Sequence, residues 1–472
     1  MTQNRFLYET VTEQLLGQIR RGSFEVGERL PSVRRMSDLF GVSVNTIRQS
    51  YRQLEAEGSL ESRPKSGVFI RSCGPGASAP AERERFPLLP VDVSLSEDVL
   101  RYMEFHAHQD LVRFGIALPG REIQPVSRVL QMLRDVARHQ PMDCWDYIHP
   151  DGSETLTQQL ARRSLAYDVP FAADDIIVSG GCMEALALAL RTVTRPGDVV
   201  AVEAPTYYGA LLLLEELERR VVEIPANARD GISLTELERV YQEGEVAACL
   251  VSTNAQNPLG FTMSTEGKKA LVELSVRHGV PLIENDIWGD TVFDPHQSRP
   301  AKAFDRHGMV IYCNSFSKSL IPGFRLGWTV PGRFHRRVRE LKQISTITTA
   351  SATQLTMGRL LETGFYAQHV VELRERLQGQ VREMVALVKA SFPDGTLVTE
   401  PSGGCVLWIR LPPGVQATRV FDRAIKAGIH VFPGNVFSLD DKHSDHLRIN
   451  AGNPVTPRIA SAVRHLGALA RP

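Results

Sequence analysis

Apolar residues at helical spacing divide the start of the chain into three stretches. The first stretch predicts an amphipathic helix whose apolar residues recur every three or four positions: Tyr8, Val11, Leu15 and Ile19. Ser32 is suited to cap a second helix, and a tight turn at 40–43 separates that helix from a third. The third helix buries Ile47, Tyr51 and Leu54 on one face, so its polar face is free to meet a partner.

A short hairpin follows these helices. Residues 60–70 have the pattern of two strands, and the tip at 64–67 reads Pro-Lys-Ser-Gly. A helix, a helix-turn-helix and a basic-tipped hairpin together predict a winged helix-turn-helix over residues 1–72. Residues 73–94 contain many Gly, Ala, Ser and Pro residues, and this composition predicts a semi-extended linker.

Short apolar stretches alternate with helical stretches in the rest of the chain. We predict strands at 176–178, 199–202, 247–252, 281–284 and 310–313. We predict helices at 183–194, 207–219, 233–243 and 264–278. This alternation is typical of an α/β domain with a mainly parallel, helix-covered sheet. Ligands of such domains bind beyond the carboxyl ends of the strands.

Composition and charge narrow the class of protein. The apolar fraction of 43% is sufficient for a large core, and the formal net charge of the whole chain is zero. Residues 1–72 nevertheless carry a net charge of +3, which favours contact between this head and nucleic acid. The six cysteines are scattered without metal-ligand spacing, so we expect reduced thiols, no metal site and a cytoplasmic location. The longest aliphatic run, 211–214, is too short to span a membrane, and we see no signal sequence.

One lysine lies in a setting that suits an aldehyde and an anion together. Lys318 is flanked by Ser315 and Ser317, and Arg325 follows seven residues later. A lysine amine forms a Schiff base with an aldehyde, while serine hydroxyls and an arginine hold a phosphate. Pyridoxal 5'-phosphate (PLP) is a ligand that needs both groups.

Further candidate motifs follow the predicted strands. The glycines at 180–181 precede a predicted helix, and they either form a phosphate cradle or only pack the helix on the sheet. Tyr207 either stacks on a flat ring or packs in the core. Asn257 either donates to a phenolate oxygen or belongs to a plain Asn-Pro turn.

Two charged positions complete the candidate set. An acid within 284–288 either pairs with a pyridinium nitrogen or caps a loop. Arg448 either clamps a carboxylate or is a solvated surface arginine.

Taken in order, these motifs resemble a known family. Residues 95–472 resemble fold type I PLP-dependent enzymes of the class I aminotransferase branch. Residues 1–72 resemble the GntR-family winged helix through the segment 27–34 and the helix that begins at Val44. The two modules in this order resemble the MocR-type transcriptional regulators. The resemblance implies a large cofactor subdomain at roughly 146–345 and a small subdomain built from the flanking segments.

The resemblance implies a role for each candidate residue. Lys318 would hold the cofactor aldehyde, and Ser315, Ser317 and Arg325 would hold the phosphate. Backbone groups of the following residues would assist with the phosphate: Gly181, Cys182 and Met183.

The ring, the effector and a second subunit also receive residues through the resemblance. Tyr207 would stack on the pyridine ring, Asn257 would bond its O3′ oxygen, and Arg448 would take the carboxylate of an amino-acid effector. Tyr147 resembles the tyrosine that reaches the neighbouring subunit's phosphate, and this role implies a homodimer.

The segment 284–288 departs from the family pattern. Trp288 stands where the family usually has tyrosine, and this alignment places Asn285 at the position of the pyridine-pairing aspartate. Side chains of a strand alternate between its faces, so Asn285 and Asp286 are not expected to face the ring together. Both residues remain candidates at this stage, and a neutral Asn285 predicts slow proton abstraction from a substrate.

The resemblance also implies a DNA surface on the head. The candidate contacts of the helices with phosphates or base edges are Arg29, Arg34, Thr46 and Arg48. The candidate contacts of the wing are Arg63, Lys65 and Gly67. The alternative for each charged residue is a solvated surface position.

Three functions are compatible with these modules. The first is a DNA-binding transcriptional regulator that senses an amino acid or amine through its PLP domain. The second is an active aminotransferase with an accessory DNA-binding head. The third is a regulator that senses PLP itself. The predicted partners are a double-stranded DNA operator, a small effector and a second copy of the chain.

Overall fold

The computed structural model describes residues 8, 11, 12, 15, 28–56, 60–63, 67–70, 88–108, 110–169 and 171–471. The contacts between Cα atoms divide the chain into two compact units, Met1–Pro87 and Leu88–Pro472. No helix within these described ranges is both long and apolar enough to cross a membrane.

The first unit contains a helix-turn-helix followed by a hairpin. The described elements of this unit are α1 (Val33–Phe40), α2 (Val44–Ala56), β1 (Leu60–Arg63) and β2 (Gly67–Ile70). Ser32 accepts a hydrogen bond from Arg35 N, and this bond caps α1. Val11 and Leu15 pack with the buried face of α2 in one core, as the apolar spacing predicts. Lys65 and Ile19 lie outside the described residues.

The second unit is built on a nine-stranded mixed sheet. Its strands are β3 (Val91–Asp92), β5 (Ile177–Ser179), β6 (Val199–Ala204), β7 (Arg220–Asn227), β8 (Gly231–Ile232), β9 (Val246–Val251), β10 (Leu282–Asn285), β11 (Val310–Ser315) and β12 (Gly327–Val330). Their order is β3-β7-β6-β9-β10-β11-β12-β5, and β8 pairs with β7. In this order, the five central strands are parallel to one another: β7, β6, β9, β10 and β11. Strand β12 is antiparallel to both of its neighbours.

Helices cover both faces of this sheet. Before and between its strands lie α3 (Ser96–Met103), α4 (Val126–His139), α5 (Pro141–Trp145), α6 (Glu154–Ser164), α7 (Cys182–Val193), α8 (Tyr208–Glu216), α9 (Leu234–Gln242) and α10 (Thr265–His278). Leu282 and Val310 pack in a core with residues of α9 and α10. Their neighbours Ile283 and Ile311 pack in a second core with α7 and α8. Successive side chains of β10 and β11 therefore enter opposite faces of the sheet.

The C-terminal part of the chain adds a smaller sheet. The elements after β12 are α11 (His335–Thr346), α12 (Ser351–Glu362), α13 (Phe365–Ser391), β13 (Leu397–Val398), β14 (Val406–Arg410), α14 (Ala417–Lys426), β15 (Ile429–His430), β16 (Phe432–Pro433), β17 (His446–Asn450) and α15 (Pro457–Leu469). Strands β13, β14, β17 and β16 form an antiparallel sheet in that order. Strand β15 instead pairs with β4 (Val112–Arg113) from the start of the unit. The small sheet is therefore tied to residues that precede the large one.

The α/β fold class predicted from the alternation is confirmed. Each of the five predicted strands and four predicted helices is present, with ends that differ by a few residues. The apolar pattern of the sequence did not predict β7 or β12. Residues 88–94 belong to the predicted linker, and they carry β3, which pairs with β7 at the sheet edge.

Candidate cofactor site

The turn between β5 and α7 forms a cradle for an anion. Gly181 caps α7 with a φ of 94°, and a Cβ at this position would lie 2.8 Å from Arg325 Nη2. A Cβ on Gly327 would lie 2.9 Å from Cys182 N. Both positions therefore favour glycine, because Gly181 has a left-handed φ and Gly327 has backbone atoms of the turn packed against it. Free N–H groups at a helix N-terminus and an arginine together favour a phosphate.

Two serines extend the cradle from the end of β11. Ser317 N donates to Ser315 Oγ at 3.2 Å, and Ser315 is buried at the end of its strand. Ser317 Oγ is also buried, and it has no hydrogen-bond partner among the residues that the structure describes. A buried hydroxyl without a partner costs about 1–3 kcal/mol. The unpaired hydroxyl and the glycine-lined turn fit the phosphate of PLP.

The amine of Lys318 lies beside these groups. Lys318 Nζ donates to the Ala117 carbonyl at 2.7 Å and lies 5.1 Å from the centre of the Trp288 ring. Burial lowers the pKa of Lys318 to about 8, and the nearby charges of Arg448 and Arg325 also lower it. A lysine with this pKa is partly neutral near pH 7, so it is an effective nucleophile for an aldehyde.

Arg448 is buried, although a lone arginine is usually solvated. It is 1% exposed, its Nη1 lies 3.5 Å from Asn257 Oδ1, and its Nη2 donates to the Gly115 carbonyl. Its guanidinium carbon lies 5.0 Å from the centre of the Phe432 ring. Arg448 Nε has no hydrogen-bond partner within the described part of the chain. A buried cation with a free N–H suits a carboxylate ligand.

Tyr207 lies near Arg448 at the start of α8. Its ring centre is 4.8 Å from that of Tyr208, which in turn stacks on Phe432 at 4.8 Å. Burial raises the pKa of the Tyr207 hydroxyl, and the charge of Arg448 opposes this rise. The phenol therefore remains protonated, and its ring is the aromatic surface next to the candidate carboxylate site.

Asn285 and Asp286 lie on opposite faces of the sheet. The side chain of Asn285 lies on the same face of the sheet as that of Ile283, and its Oδ1 accepts a hydrogen bond from Cys182 Sγ at 3.4 Å. Asp286 accepts hydrogen bonds from Asn254 Nδ2 at 2.8 Å and from Tyr312 Oη at 2.9 Å. The structure therefore brings Asn285, and not Asp286, to the first residue of the cradle helix.

The pKa of the Asp286 carboxyl also differs from that of a solvated acid. Burial raises its pKa well above the ordinary value, and the neighbouring Glu284 raises it further.

Tyr147 does not contact the cradle of its own chain. Its side chain is 77% exposed, and large apolar side chains nearby in sequence are exposed too, among them Met142 and Trp145. The family resemblance implies that Tyr147 reaches a neighbouring subunit's phosphate, and an exposed side chain is compatible with that prediction.

The candidate DNA residues are partly exposed on the head. Arg29, Arg34 and Arg48 are exposed, whereas Thr46 is half-buried and its N–H and hydroxyl both pair with Ser43 Oγ. A Cβ at Gly67 would lie 2.7 Å from Arg29 Nε, so the arginine packs over the start of β2. The side chain of Arg63, like the whole of Lys65, lies outside the described residues.

Two features of the site had no clear signal in the sequence. The Ala117 carbonyl that holds Lys318 comes from a segment some two hundred positions earlier. Glu184 accepts from Gly180 N and from Lys342 Nζ, the latter at 3.0 Å to both carboxylate oxygens. Lys342 is fully buried, so this ion pair joins the cradle to α11. The one sequence feature that points to this ion pair is the position of Glu184 within the glycine motif.

Comparisons with known proteins agree with this geometry. Residues 116–466 match the aminotransferase class I and II family, and residues 7–70 match the bacterial regulatory proteins of the gntR family. The chain is 34% identical over 466 residues to the HTH-type transcriptional regulator YdcR of Escherichia coli, covering 98% of both chains. It is 31% identical over 465 residues to YjiR of the same organism, again covering 98% of both. The multiple substrate aminotransferase of Thermococcus profundus has a similar structure, with a TM-score of 0.73 and 27% identity over 80% of this chain and 95% of that one.

The fold and the site define a PLP-binding protein of the aminotransferase class I type that carries a GntR-type DNA-binding head. Within that class, the chain belongs to the MocR-type transcriptional regulators of the GntR family. PLP as cofactor and DNA as partner, both predicted from the sequence, are confirmed.

Proposed function

We propose that this regulator senses an amino acid or an amine at its PLP site and changes its binding to DNA in response. The observation that supports an effector most directly is the buried Arg448, whose Nε has no partner in the described chain. This arginine and Lys318 are close enough for the charge of one to lower the pKa of the other. An α-amino acid presents a carboxylate that would pair with Arg448 and, on the same carbon, an amine that would replace Lys318 Nζ at the cofactor aldehyde.

PLP bound at this site supplies an aldehyde and an aromatic ring. Lys318 would hold the aldehyde, while Ser315, Ser317 and Arg325 would hold the phosphate. Tyr207 would stack on the ring, Arg448 would bind the effector's carboxylate, and the buried walls would exclude water from it.

We propose that the regulator acts as a homodimer in the cytosol. Exposed apolar side chains in α5 and at the C-terminal end of α11 support this proposal, because monomeric proteins rarely expose large apolar patches. The residues are Met142 (68% exposed), Trp145 (84%), Ile344 (75%) and Ile347 (57%). The exposed Tyr147 would reach the partner's cradle. A dimer carries two heads and reads two half-sites.

The test is DNA affinity under controlled ligand conditions. Fluorescence anisotropy is recorded with the duplex upstream of the protein's own gene, and a scrambled duplex of equal composition is the control. We expect specific binding whose affinity changes when PLP-loaded protein receives an effector amino acid. Arg48→Ala should weaken binding to both duplexes or relax the preference between them. Equal affinity for the two duplexes under every condition would contradict the proposal.

Replacing Lys318 removes the residue that would hold the cofactor aldehyde, so it tests whether the DNA response depends on PLP. Lys318→Ala should abolish the response of DNA binding to PLP and to the effector. Arg448→Ala should abolish only the response to carboxylate effectors. If Arg448→Ala retains the full response, then PLP or an amine without a carboxylate is the signal.

An active aminotransferase is the second candidate, because the site assembles Lys318, Arg448 and Asn257 in one place. Single-turnover conversion of PLP to pyridoxamine phosphate, measured over a panel of amino acids, decides between the two. Conversion within seconds at millimolar amino acid would favour the enzyme. A much slower half-reaction, together with the DNA response above, favours the sensor.

A further inference from the structure

A thiol and an amide form a buried pair at the N-terminus of the cradle helix. Cys182 is the first residue of α7, and its Sγ lies 3.4 Å from Asn285 Oδ1. The two residues are 4% and 7% exposed. Burial raises the pKa of the Cys182 thiol well above its ordinary value, so the sulfur keeps its proton and acts as a donor.

This contact determines which end of the amide is free. A carboxamide has an acceptor oxygen at one end and a donor NH₂ at the other. In the structure the S–H of the protonated thiol donates to the amide oxygen, and the NH₂ is not turned toward the sulfur. The oxygen of Asn285 therefore faces Cys182, and Nδ2 makes no hydrogen bond to the described residues around it.

The chemistry of PLP indicates what this NH₂ meets. The aldehyde and the phosphate arm stand on adjacent ring carbons, and the ring nitrogen is opposite the aldehyde-bearing carbon. If Lys318 holds the aldehyde and Arg325 holds the phosphate, the nitrogen would point away from Lys318. Asn285 ends β10 on the sheet face where α7 begins, so it is the polar side chain available there. Asp286 is on the other face with both carboxylate oxygens bonded.

We propose that Cys182 is a positioning residue that orients Asn285 so that Nδ2 donates a hydrogen bond to the ring nitrogen and keeps it unprotonated. A nitrogen that accepts a hydrogen bond through its lone pair cannot also carry a proton. The ring is then a weak electron sink, so the effector's Cα–H bond is not readily broken. Exchange of amines at the aldehyde carbon does not draw electrons into the ring, so effectors still bind. The site would thus bind an amino acid without converting it to product. The protonation state of the ring nitrogen rests on the PLP cofactor alone, whereas its consequence for an amino-acid effector rests on the function proposed above.

The protonation state of the ring nitrogen is directly measurable. Full-length protein is loaded with PLP carrying ¹⁵N in the ring, and the ¹⁵N chemical shift is followed as a function of pH. The visible absorbance of the bound cofactor confirms loading in each sample, so a failure of PLP binding is recognised separately. We expect the unprotonated signal for the natural sequence near neutral pH. A protonated signal there would overturn the proposal.

Variants separate the thiol's role from general packing. Cys182→Ala should release the amide to rotate, and we expect the nitrogen's apparent pKa to rise by about one unit, a tenfold change in its protonation equilibrium. Cys182→Ser, which restores a donor, should return the signal toward that of the natural sequence. Cys313→Ala is the matched control, because it removes another buried thiol of the same core that bonds Thr329 rather than Asn285. An equal effect of Cys182→Ala and Cys313→Ala, or none from Cys182→Ala, contradicts the assignment.

Asn285→Asp tests the consequence for chemistry. A carboxylate should stabilise the protonated form of the ring nitrogen and accelerate the single-turnover half-reaction by about tenfold or more. In Asp286→Asn, the ¹⁵N chemical shift should remain that of an unprotonated ring nitrogen. If Asn285→Asp changes neither the signal nor the rate, or if only Asp286→Asn changes the signal, then Asn285 does not face the ring nitrogen.

Discussion

Lys318 has a lowered pKa because its amine is buried next to two arginines. A value of about 8 means that the neutral amine prevails above pH 8, whereas an ordinary lysine stays charged until pH 10.4 or so. The neutral form alone attacks an aldehyde. Arg448, buried in the same region, contributes to this shift and offers its own free N–H.

We therefore expect PLP to react with the apo-protein at a rate that rises with pH and levels off above a midpoint near pH 8. Stopped-flow absorbance of cofactor binding measures this rate. Arg448→Met removes a positive charge that lowers the pKa of Lys318, so its midpoint should lie at higher pH. A midpoint above pH 10 in the natural sequence would show that the amine is not buried as described.

Arg448 should discriminate between ligands that differ by one carboxylate. We expect Arg448→Met to weaken the binding of an α-amino acid by about 10- to 100-fold, the equivalent of a charge-assisted hydrogen bond. Binding of the matching decarboxylated amine should change little. Spectral titration of the PLP-loaded variant with both ligands measures the difference. Equal losses for the two ligands would mean that Arg448 only supports the fold.

At the scale of elements, the site depends on how closely α7 approaches β12. Gly327 leaves room for Cys182 N, and the pair of Glu184 and Lys342 fastens the same turn to α11. None of these contacts involves residues that are neighbours in the chain. The contacts around Gly327 arise because the antiparallel β12 begins at the same edge of the sheet at which β5 and β11 end.

Gly327→Ala should displace the start of α7. Its Cβ would lie 2.7 Å from Gly181 C and 2.7 Å from Asn314 O, both of which are backbone atoms. Overpacking of this kind costs about 1–3 kcal/mol, so we expect PLP affinity to fall by tenfold or more. Gly323→Ala is the control in the same segment, since a Cβ there meets nothing within 4 Å. Equilibrium PLP titration of the two variants compares them, and equal affinities would count against the cradle geometry.

Lys342→Met should leave the carboxylate of Glu184 without its cation. Lys342 is fully buried, and breaking such a pair costs about 3–5 kcal/mol of the free energy of unfolding. Urea denaturation monitored by tryptophan fluorescence measures the loss. The double variant Lys342→Met with Glu184→Gln should recover part of it, because no charge then remains unpaired. Identical stabilities of the single and double variants would contradict the ion-pair explanation.

At the scale of the whole molecule, a transcription regulator and an aminotransferase fold share one chain. The relatives that match over 98% of their length carry both modules, so the pairing belongs to the family and not to this chain alone. The exposed apolar residues around Trp145 lie on the second unit, and they are the residues that the proposed dimer would cover.

Trp145→Glu should therefore convert a dimer into a monomer. Its side chain is 84% exposed, so a charge there should not disturb the fold of the subunit. Sedimentation velocity measures the assembly state, and circular dichroism checks the fold. Leu397→Glu is the matched control, because Leu397 is 61% exposed on the small sheet and lies outside this patch. A monomeric natural protein, or a dimer that survives Trp145→Glu, would contradict the proposed interface.

The sequence by itself determined the elements and the class of protein. Short apolar runs predicted the strands β5, β6, β9, β10 and β11, because strands of a helix-covered parallel sheet are buried on both faces. The motif around Lys318 indicated PLP, since few residue types can hold an aldehyde and a phosphate. The edge strand β3 and the antiparallel β12 were not predicted, because their pairing depends on distant partners.

Only the tertiary structure decided which side chains meet. Sequence spacing left Asn285 and Asp286 as equal candidates for the pyridine partner. The alternation of β10 directs one to Cys182 and the other to Asn254 and Tyr312. Burial likewise distinguished Arg448 from a surface arginine, and a carbonyl from Ala117 reached Lys318 across the fold. Periodicity is a local property of the chain, whereas burial and contact are set by elements far apart in sequence.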